Sequence, residues 1–294
     1  MCDELTERDN EAFLARERAA GRLTRRDFSV MVGGAALAMA LPVPAGAAEV
    51  VTSNVTVRTP DGEADCFLAH PASGKAPGFV IWPDIVGLRP AFEQMGKRLA
   101  QSGHAVLVVN PYYRKAKAPV VGPGASFSDP AVRETLMPLA RSLSAETTRI
   151  DTKAFAAFLD AHDSVDTDKG MGVSGYCMGG SMAFLSAVTV PERFSAVASF
   201  HGGRLVTDGE TSPHLQVGKT KADYLVAIAS NDDEKAPGDK DALKAAFTAA
   251  GLKAEVEVYE GALHGWCPPD GRVYNEVQAE RAWSRLLALL GHEV

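Results

Sequence analysis

Basic runs are missing from this sequence. Its 294 residues hold 30 Lys and Arg against 37 Asp and Glu. No Lys/Arg stretch is interleaved with aromatics, so nucleic acid is not an expected partner. Zinc-type spacings are absent, and no His/Cys/Asp cluster is spaced as a ligand set. Neither metal nor other cofactor is therefore expected. Cysteine is scarce, with only Cys2, Cys66, Cys177 and Cys267. No two of them form Cys-x-x-Cys, which argues against a thioredoxin-like redox role. The apolar run at 30–41 is too short to span a bilayer, so no stable membrane anchor is expected. No internal repeat or low-complexity segment is present. What remains is 46% hydrophobic and 23% charged, an ordinary globular composition with length enough for one large core.

The first 47 residues stand apart. Thr24-Arg25-Arg26-Asp27-Phe28-Ser29 precedes the apolar run, and Pro42, Pro44 and Ala45-Gly46-Ala47 follow it. A charged segment, an apolar segment and an A-x-A site make the layout of a cleaved export signal. The paired arginines fit the twin-arginine type. Residues 1–47 are thus read as an N-terminal region and signal, and 48–294 as one mature domain. The expected location is periplasmic or otherwise exported, with the twin-arginine translocase as a partner during export. The acidic stretch 1–21 is expected to be helical or frayed and is assigned no function. Loss of Cys2 leaves three cysteines, an odd number that fits one free reactive thiol. Whether Cys66 and Cys267 are free or paired stays open.

The mature chain alternates strands and helices. Strands are expected over 49–59, 63–70, 78–82, 105–109, 169–173, 195–200, 224–229 and 253–259. The first two are joined by an Asp61-Gly62 turn. Helices are expected over 89–102, 129–142, 145–162, 178–189, 239–250 and 274–290. This pattern argues one α/β domain with a mostly parallel sheet, whose ligands bind at the carboxyl ends of the strands. The residues with chemical promise lie in loops just after strands.

Gly175-Tyr176-Cys177-Met178-Gly179 is the sharpest of these loops. A nucleophile on a strained strand-to-helix turn needs glycines two before and two after it, because Cβ atoms there would clash. The Met178 amide, at a helix N-terminus, then faces the developing oxyanion. Asp232 and Asp233 follow a later strand, and His264 follows the last. The order nucleophile, acid, histidine suits a Cys177–His264–acid triad. In it the imidazole is the base and the carboxylate fixes its tautomer. Spacing from Ala229 favours Asp232 as the acid, spacing back from Pro237 favours Asp233, and Asp232 is preferred. The Ile85 amide is the expected second oxyanion donor. Tyr176, Tyr112, Trp266 and Phe127 are candidates for the acyl pocket, with ordinary packing favoured for Phe127. His201 follows a strand and could approach the site.

These pieces resemble the dienelactone hydrolase family, cysteine members of the α/β-hydrolase fold. The resemblance rests on Gly-Tyr-Cys-Met-Gly-Gly at 175–180, the Asp after the 224–229 strand, and His264-Gly265. It also rests on Pro83-Asp84-Ile85-Val86-Gly87-Leu88 and Asn110-Pro111-Tyr112-Tyr113-Arg114, and it spans about 49–292. It implies a single-domain α/β-hydrolase fold with helices on both faces of the sheet. The implied activity is hydrolysis of small-molecule esters or lactones through a thioester acyl-enzyme, without a cofactor. It implies that Asp84, where the family commonly has Glu, contacts the resting thiol, and that Arg114 holds a substrate carboxylate. The dienelactone-cleaving members have a second Arg where this chain has Pro268. A thioesterase or peptidase on the same triad, or a non-catalytic exported binding protein, are the alternatives. A monomer is expected.

Overall fold

The computed structural model of the chain describes residues 6–19, 41–44 and 46–292. Most of the segment read as an export signal lies outside the described residues. No helix among the described residues is long and apolar enough to cross a membrane.

Eight strands form one sheet in the order β1-β2-β4-β3-β5-β6-β7-β8, with β6 over Phe194–Phe200, β7 over Asp223–Ala229 and β8 over Ala254–Tyr259. β1 (Val50–Thr59) and β2 (Gly62–Pro71) make the antiparallel hairpin expected from Asp61-Gly62, and Gly62 takes the positive φ of 138° that its turn requires. β2 joins β4 (Ala105–Val109) antiparallel, and every other pairing is parallel. The central strands β3 (Gly78–Trp82), β4 and β5 (Met171–Tyr176) are buried at every residue. Their continuous apolar runs follow from cover on both faces.

The period-2 alternation of each strand assigns its side chains to two separate cores. Val80, Trp82, Met171 and Val173 face one core, with Phe155, Phe184 and Phe247. These come from α4 (Ala145–Asp160), α5 (Met178–Thr189) and α7 (Asp239–Ala250). Phe79, Ile81, Tyr176 and Phe200 face the other, with Phe92, Leu99 and Leu286. These come from α2 (Pro90–Gln101) and α8 (Glu276–Leu289). Each fully buried Phe, Leu or Val contributes about 1.5–3 kcal/mol, so the two cores fix which face every strand residue takes.

Helix ends follow local chemistry. Ser144 and Thr147 form a reciprocal capping box at the start of α4. Asp129 caps α3 (Pro130–Arg141) by accepting from the Ala131 amide at 2.9 Å. The stretch after β7 (Asp223–Ala229), expected as loop, is a short helix, α6 (Ser230–Lys235). Six residues are too few to show a periodicity. The acidic N-terminal stretch, expected to be helical or frayed, forms the helix α1 (Thr6–Ala19), which packs on α6 with Asn10 and Phe13 buried. Lys235 pairs with Asp9 at 2.8 Å, and Arg16 pairs with Glu234.

Candidate active site

At the end of β5 the chain turns sharply into α5. Cys177, at the corner, has φ 55° and ψ −118°. A non-glycine residue held there stores about 1–3 kcal/mol of strain. Three main-chain bonds hold it. The Cys177 amide donates to Phe200 O at 3.1 Å, and the Gly180 and Gly203 amides donate to Cys177 O at 3.1 and 3.2 Å. The flanking glycines are required by space. A Cβ on Gly175 would lie 1.8 Å from Gly179 O, and one on Gly179 would lie 2.5 Å from Trp82 O. Gly175→Ala is therefore expected to cost more than about 4 kcal/mol. A thermal melt within a few degrees of wild type would contradict this packing.

His264 lies in the loop after β8 (Ala254–Tyr259). Its Nδ1–H donates to Asp232 Oδ2 at 2.7 Å, since a carboxylate can only accept. The ring is also hydrogen-bonded to Cys177. Burial alone would push the imidazole down. The Asp232 carboxylate and the Cys177 side chain outweigh it, by charge and by hydrogen bond, and hold His264 well above the usual imidazole value. Cys177, His264 and Asp232 are thus brought together in one hydrogen-bonded line. Asp233 is not part of it, because its carboxylate pairs with Lys240 Nζ at 2.7 Å. The other two thiols differ in state. Burial pushes Cys66 up to about 12 and Cys267 well above the ordinary thiol value, so both stay protonated. None of Cys66, Cys177 and Cys267 is in a disulfide.

Two residues that sequence reasoning passed over hold the histidine loop. Asn231 Oδ1 accepts from the His264 amide at 2.9 Å, and its Nδ2 donates to Asn10 Oδ1 at 2.7 Å. Asn10 Nδ2 in turn donates to His264 O at 3.3 Å. α1 therefore touches the loop that carries the imidazole. His201 does approach the site, at a φ of 43°. Its ring lies edge-on to His264, 5.0 Å between centroids. Burial and the neighbouring imidazole keep it neutral.

Around Cys177 the lining is apolar. Ile85, Tyr112, Phe127, Leu136 and Met178 form one buried cluster with it. Met178 opens α5, so its N–H has no acceptor within the helix. Tyr112 OH donates to Ile85 O at 2.7 Å and fixes the loop after β3. Phe127, for which packing was favoured, lies against this cluster.

Three residues occupy other places than the sequence suggested. Tyr176 shares strand parity with Ser174, so its ring faces the α2 side, stacked on Phe200 and edge-on to Phe92. Trp266 is fully buried and stacked on Tyr259. Arg114 is held by Asp61 and Asp151, with four hydrogen bonds of 2.7–2.8 Å. Asp84 is close enough to interact electrostatically with Cys177, but its carboxylate is bound by Arg89 at 2.7 and 3.0 Å and by the Val86 amide at 2.9 Å. Burial pushes the Asp84 carboxyl above the usual range against the pull of Arg89. Among the described residues no group of His, Cys, Asp or Glu is arranged to hold a metal ion.

Residues 64–294 match the sequence profile described as the dienelactone hydrolase family. A carboxymethylenebutenolidase of Rhodococcus opacus is 25% identical over 211 residues, covering 71% of this chain and 78% of its own. A candidate dienelactone hydrolase from Klebsiella pneumoniae superposes with a TM-score of 0.71 at 20% identity, covering 83% of this chain and 100% of its own. A dienelactone hydrolase-like promiscuous phosphotriesterase from metagenomic libraries gives 0.66 at 20% identity, covering 84% and 98%. At these identities the two structures speak to the fold alone.

Proposed function

The chain belongs to the dienelactone hydrolase family and is a hydrolase, and from that premise we propose that it cleaves small ester or lactone substrates through a Cys177–His264–Asp232 triad. The observation that carries this reading is the His264 ring, hydrogen-bonded to Asp232 on one side and to Cys177 on the other. A cysteine paired with a protonated imidazole is present as thiolate, its reactive form. In the first step the thiolate adds to the substrate carbonyl carbon, forming a C–S bond and moving the carbonyl electron pair onto oxygen. The Met178 and Ile85 amides receive that oxyanion, and one such donor is worth roughly 3 to 4 kcal/mol. Collapse expels the alkoxide, which takes the proton from His264 and leaves a thioester on Cys177. Neutral His264 then removes a proton from water. The hydroxide adds to the thioester, the C–S bond breaks, and the acid departs as thiolate and imidazolium are restored. Asp232 holds the imidazole tautomer and the imidazolium charge throughout.

Export through the twin-arginine translocase to the periplasm completes the reading. Its support is the sequence of residues 24–47. One experiment tests both parts: the full chain is expressed in a bacterium with that translocase, and fractions are assayed with short p-nitrophenyl esters. Intact mass is recorded before and after mixing with ester. The expected result is turnover in the periplasmic fraction, a chain lacking residues 1–47, and a transient mass gain of one acyl group on Cys177. Activity retained in the cytoplasm on a chain still bearing residues 1–47 overturns export. Absence of turnover and of acylation on a reduced thiol overturns the hydrolase mechanism.

A further inference from the structure

His264 is held by its main chain as well as by its ring. Its N–H donates to Asn231 Oδ1 at 2.9 Å, Asn231 Nδ2 donates to Asn10 Oδ1 at 2.7 Å, and Asn10 Nδ2 donates back to His264 O at 3.3 Å. These bonds close a ring through two carboxamides and both main-chain polar groups of one residue. The ring runs in one sense only. A main-chain N–H can only donate, so Asn231 must turn its oxygen toward it. The Asn231 nitrogen then faces Asn10, which must present oxygen, and the Asn10 nitrogen is left to meet a carbonyl, which can only accept. Asn10, Asn231 and His264 are 2%, 7% and 7% exposed, so a carboxamide that loses its partner here is left buried and unsatisfied. Asn231 precedes Asp232, which accepts from Nδ1 of the same histidine. α6 therefore grips His264 twice, at its amide and at its ring, and Asn10 closes the remaining side.

Asn10 comes from a distant part of the sequence. It lies on α1, three residues before Phe13, which is also buried and at that spacing shares its face of the helix. The pairs Asp9–Lys235 and Arg16–Glu234 flank the contact, but they are solvent-exposed and contribute little. A helix of 14 residues is marginal on its own in water, so Asn10 and Phe13 are what seat it on α6.

We infer that Asn10 is a positioning residue for His264: it fixes the orientation of the Asn231 carboxamide and, through it, the main chain that carries the imidazole. The kinetic consequence rests on the hydrolase reading, and the positioning itself does not. Without Asn10, the Asn231 carboxamide can rotate, and the His264 amide loses its fixed acceptor. The ring then departs from the line to Cys177 and Asp232, which slows proton transfer and leaves substrate binding alone. Cleavage after Ala47 would take Asn10 away with the signal, so the ring of hydrogen bonds is complete only in the unprocessed chain.

The test uses the full chain, with p-nitrophenyl acetate for kinetics and NMR-detected amide hydrogen exchange for the loop. Asn10→Ala is expected to lower kcat by about 10-fold and to leave KM within about 2-fold of wild type. Its His264 amide is expected to exchange about 10-fold faster, with the amides of β5 and β6 unchanged. Asn10→Ser, too short to bridge, serves as a second variant with the same expectation. Asn10→Gln, which keeps a donor and an acceptor, should recover most of both effects, and Arg16→Ala on the exposed side of the same helix should match wild type. Asn231→Ala combined with Asn10→Ala should be no slower than Asn231→Ala alone, because the two amides act as one unit. The inference is overturned if both Asn10→Ala and Asn10→Ser keep the wild-type kcat, if their His264 amide exchanges at the wild-type rate, if exchange rises equally through β5 and β6, or if the two substitutions add in full. If no form turns over the ester yet the His264 amide alone responds to Asn10→Ala, the positioning stands and the hydrolase reading is what fails.

Discussion

Cys177→Ala is expected to lower kcat by on the order of 10⁶-fold with the fold intact, the scale seen when a triad nucleophile is removed. The substitution keeps Cβ, so the strained corner at φ 55° and its three main-chain hydrogen bonds are unchanged. Only Sγ is lost, and with it the atom proposed to form the acyl bond. A further readout follows from His264. Its protonation is favoured by two partners, Asp232 and Cys177. Removal of the thiolate leaves one, so the imidazole should titrate lower in Cys177→Ala than in the wild type. Proton NMR of the His264 ring across a pH series measures this directly. Residual turnover within about 10-fold of wild type, where a triad nucleophile should matter far more, would mean that another group attacks the carbonyl.

Asp232→Asn is the second large effect, expected to lower kcat/KM by about 10⁴-fold, because an amide can present the wrong tautomer to the imidazole. Asp233→Asn should stay near wild type, since that carboxylate serves Lys240. The pH dependence separates the two further. The folded pKa of His264 is raised, so its protonated form stabilises the fold fully below the unfolded value of about 6.5. That contribution is lost as pH rises through the folded value. The imidazolium–thiolate pair is lost over the same rise, which sets the alkaline limb of kcat/KM above the ordinary imidazole range. In Asp232→Asn the limb should move down, as the largest favourable charge on the ring is gone. In Asp233→Asn it should not move. A profile that shifts with Asp233 and not with Asp232 would reverse the assignment.

The elbow was legible because its demand is steric and local. A Cβ at residue 175 or 179 has no room, so the glycines that make the turn possible also announce it. The central strands were readable as continuous apolar runs, and the helix over 178–189 from the Gly-rich turn that opens it. What was not legible depends on pairs far apart in the chain. Arg114 looked free until the fold brought Asp61 and Asp151 to it, 53 and 37 residues away. Asn10 reaches Asn231 across 221 residues, and nothing in an acidic stretch predicts that. Tyr176 was misplaced for a different reason. Its side depends on the parity of β5 relative to two cores, which a motif centred on its neighbour does not carry. Asp232 and Asp233 differ only in which side of one helical turn they occupy, and α6 was too short to be read at all.

Cys177 is 1% exposed, packed in one buried cluster with Tyr112, Phe127 and Leu136. A reagent in solution meets the thiolate only after those side chains part. Its labelling rate is then the intrinsic thiolate rate multiplied by the fraction of molecules open, as for a protected amide in hydrogen exchange. Slow alkylation of this residue would thus report a rare opening rather than a weak nucleophile. The same fraction sets how long the thiol survives peroxide, and it places an upper bound on how often substrate can enter. Reactivity, durability and turnover are in this way tied to one equilibrium, that of the cover over residue 177.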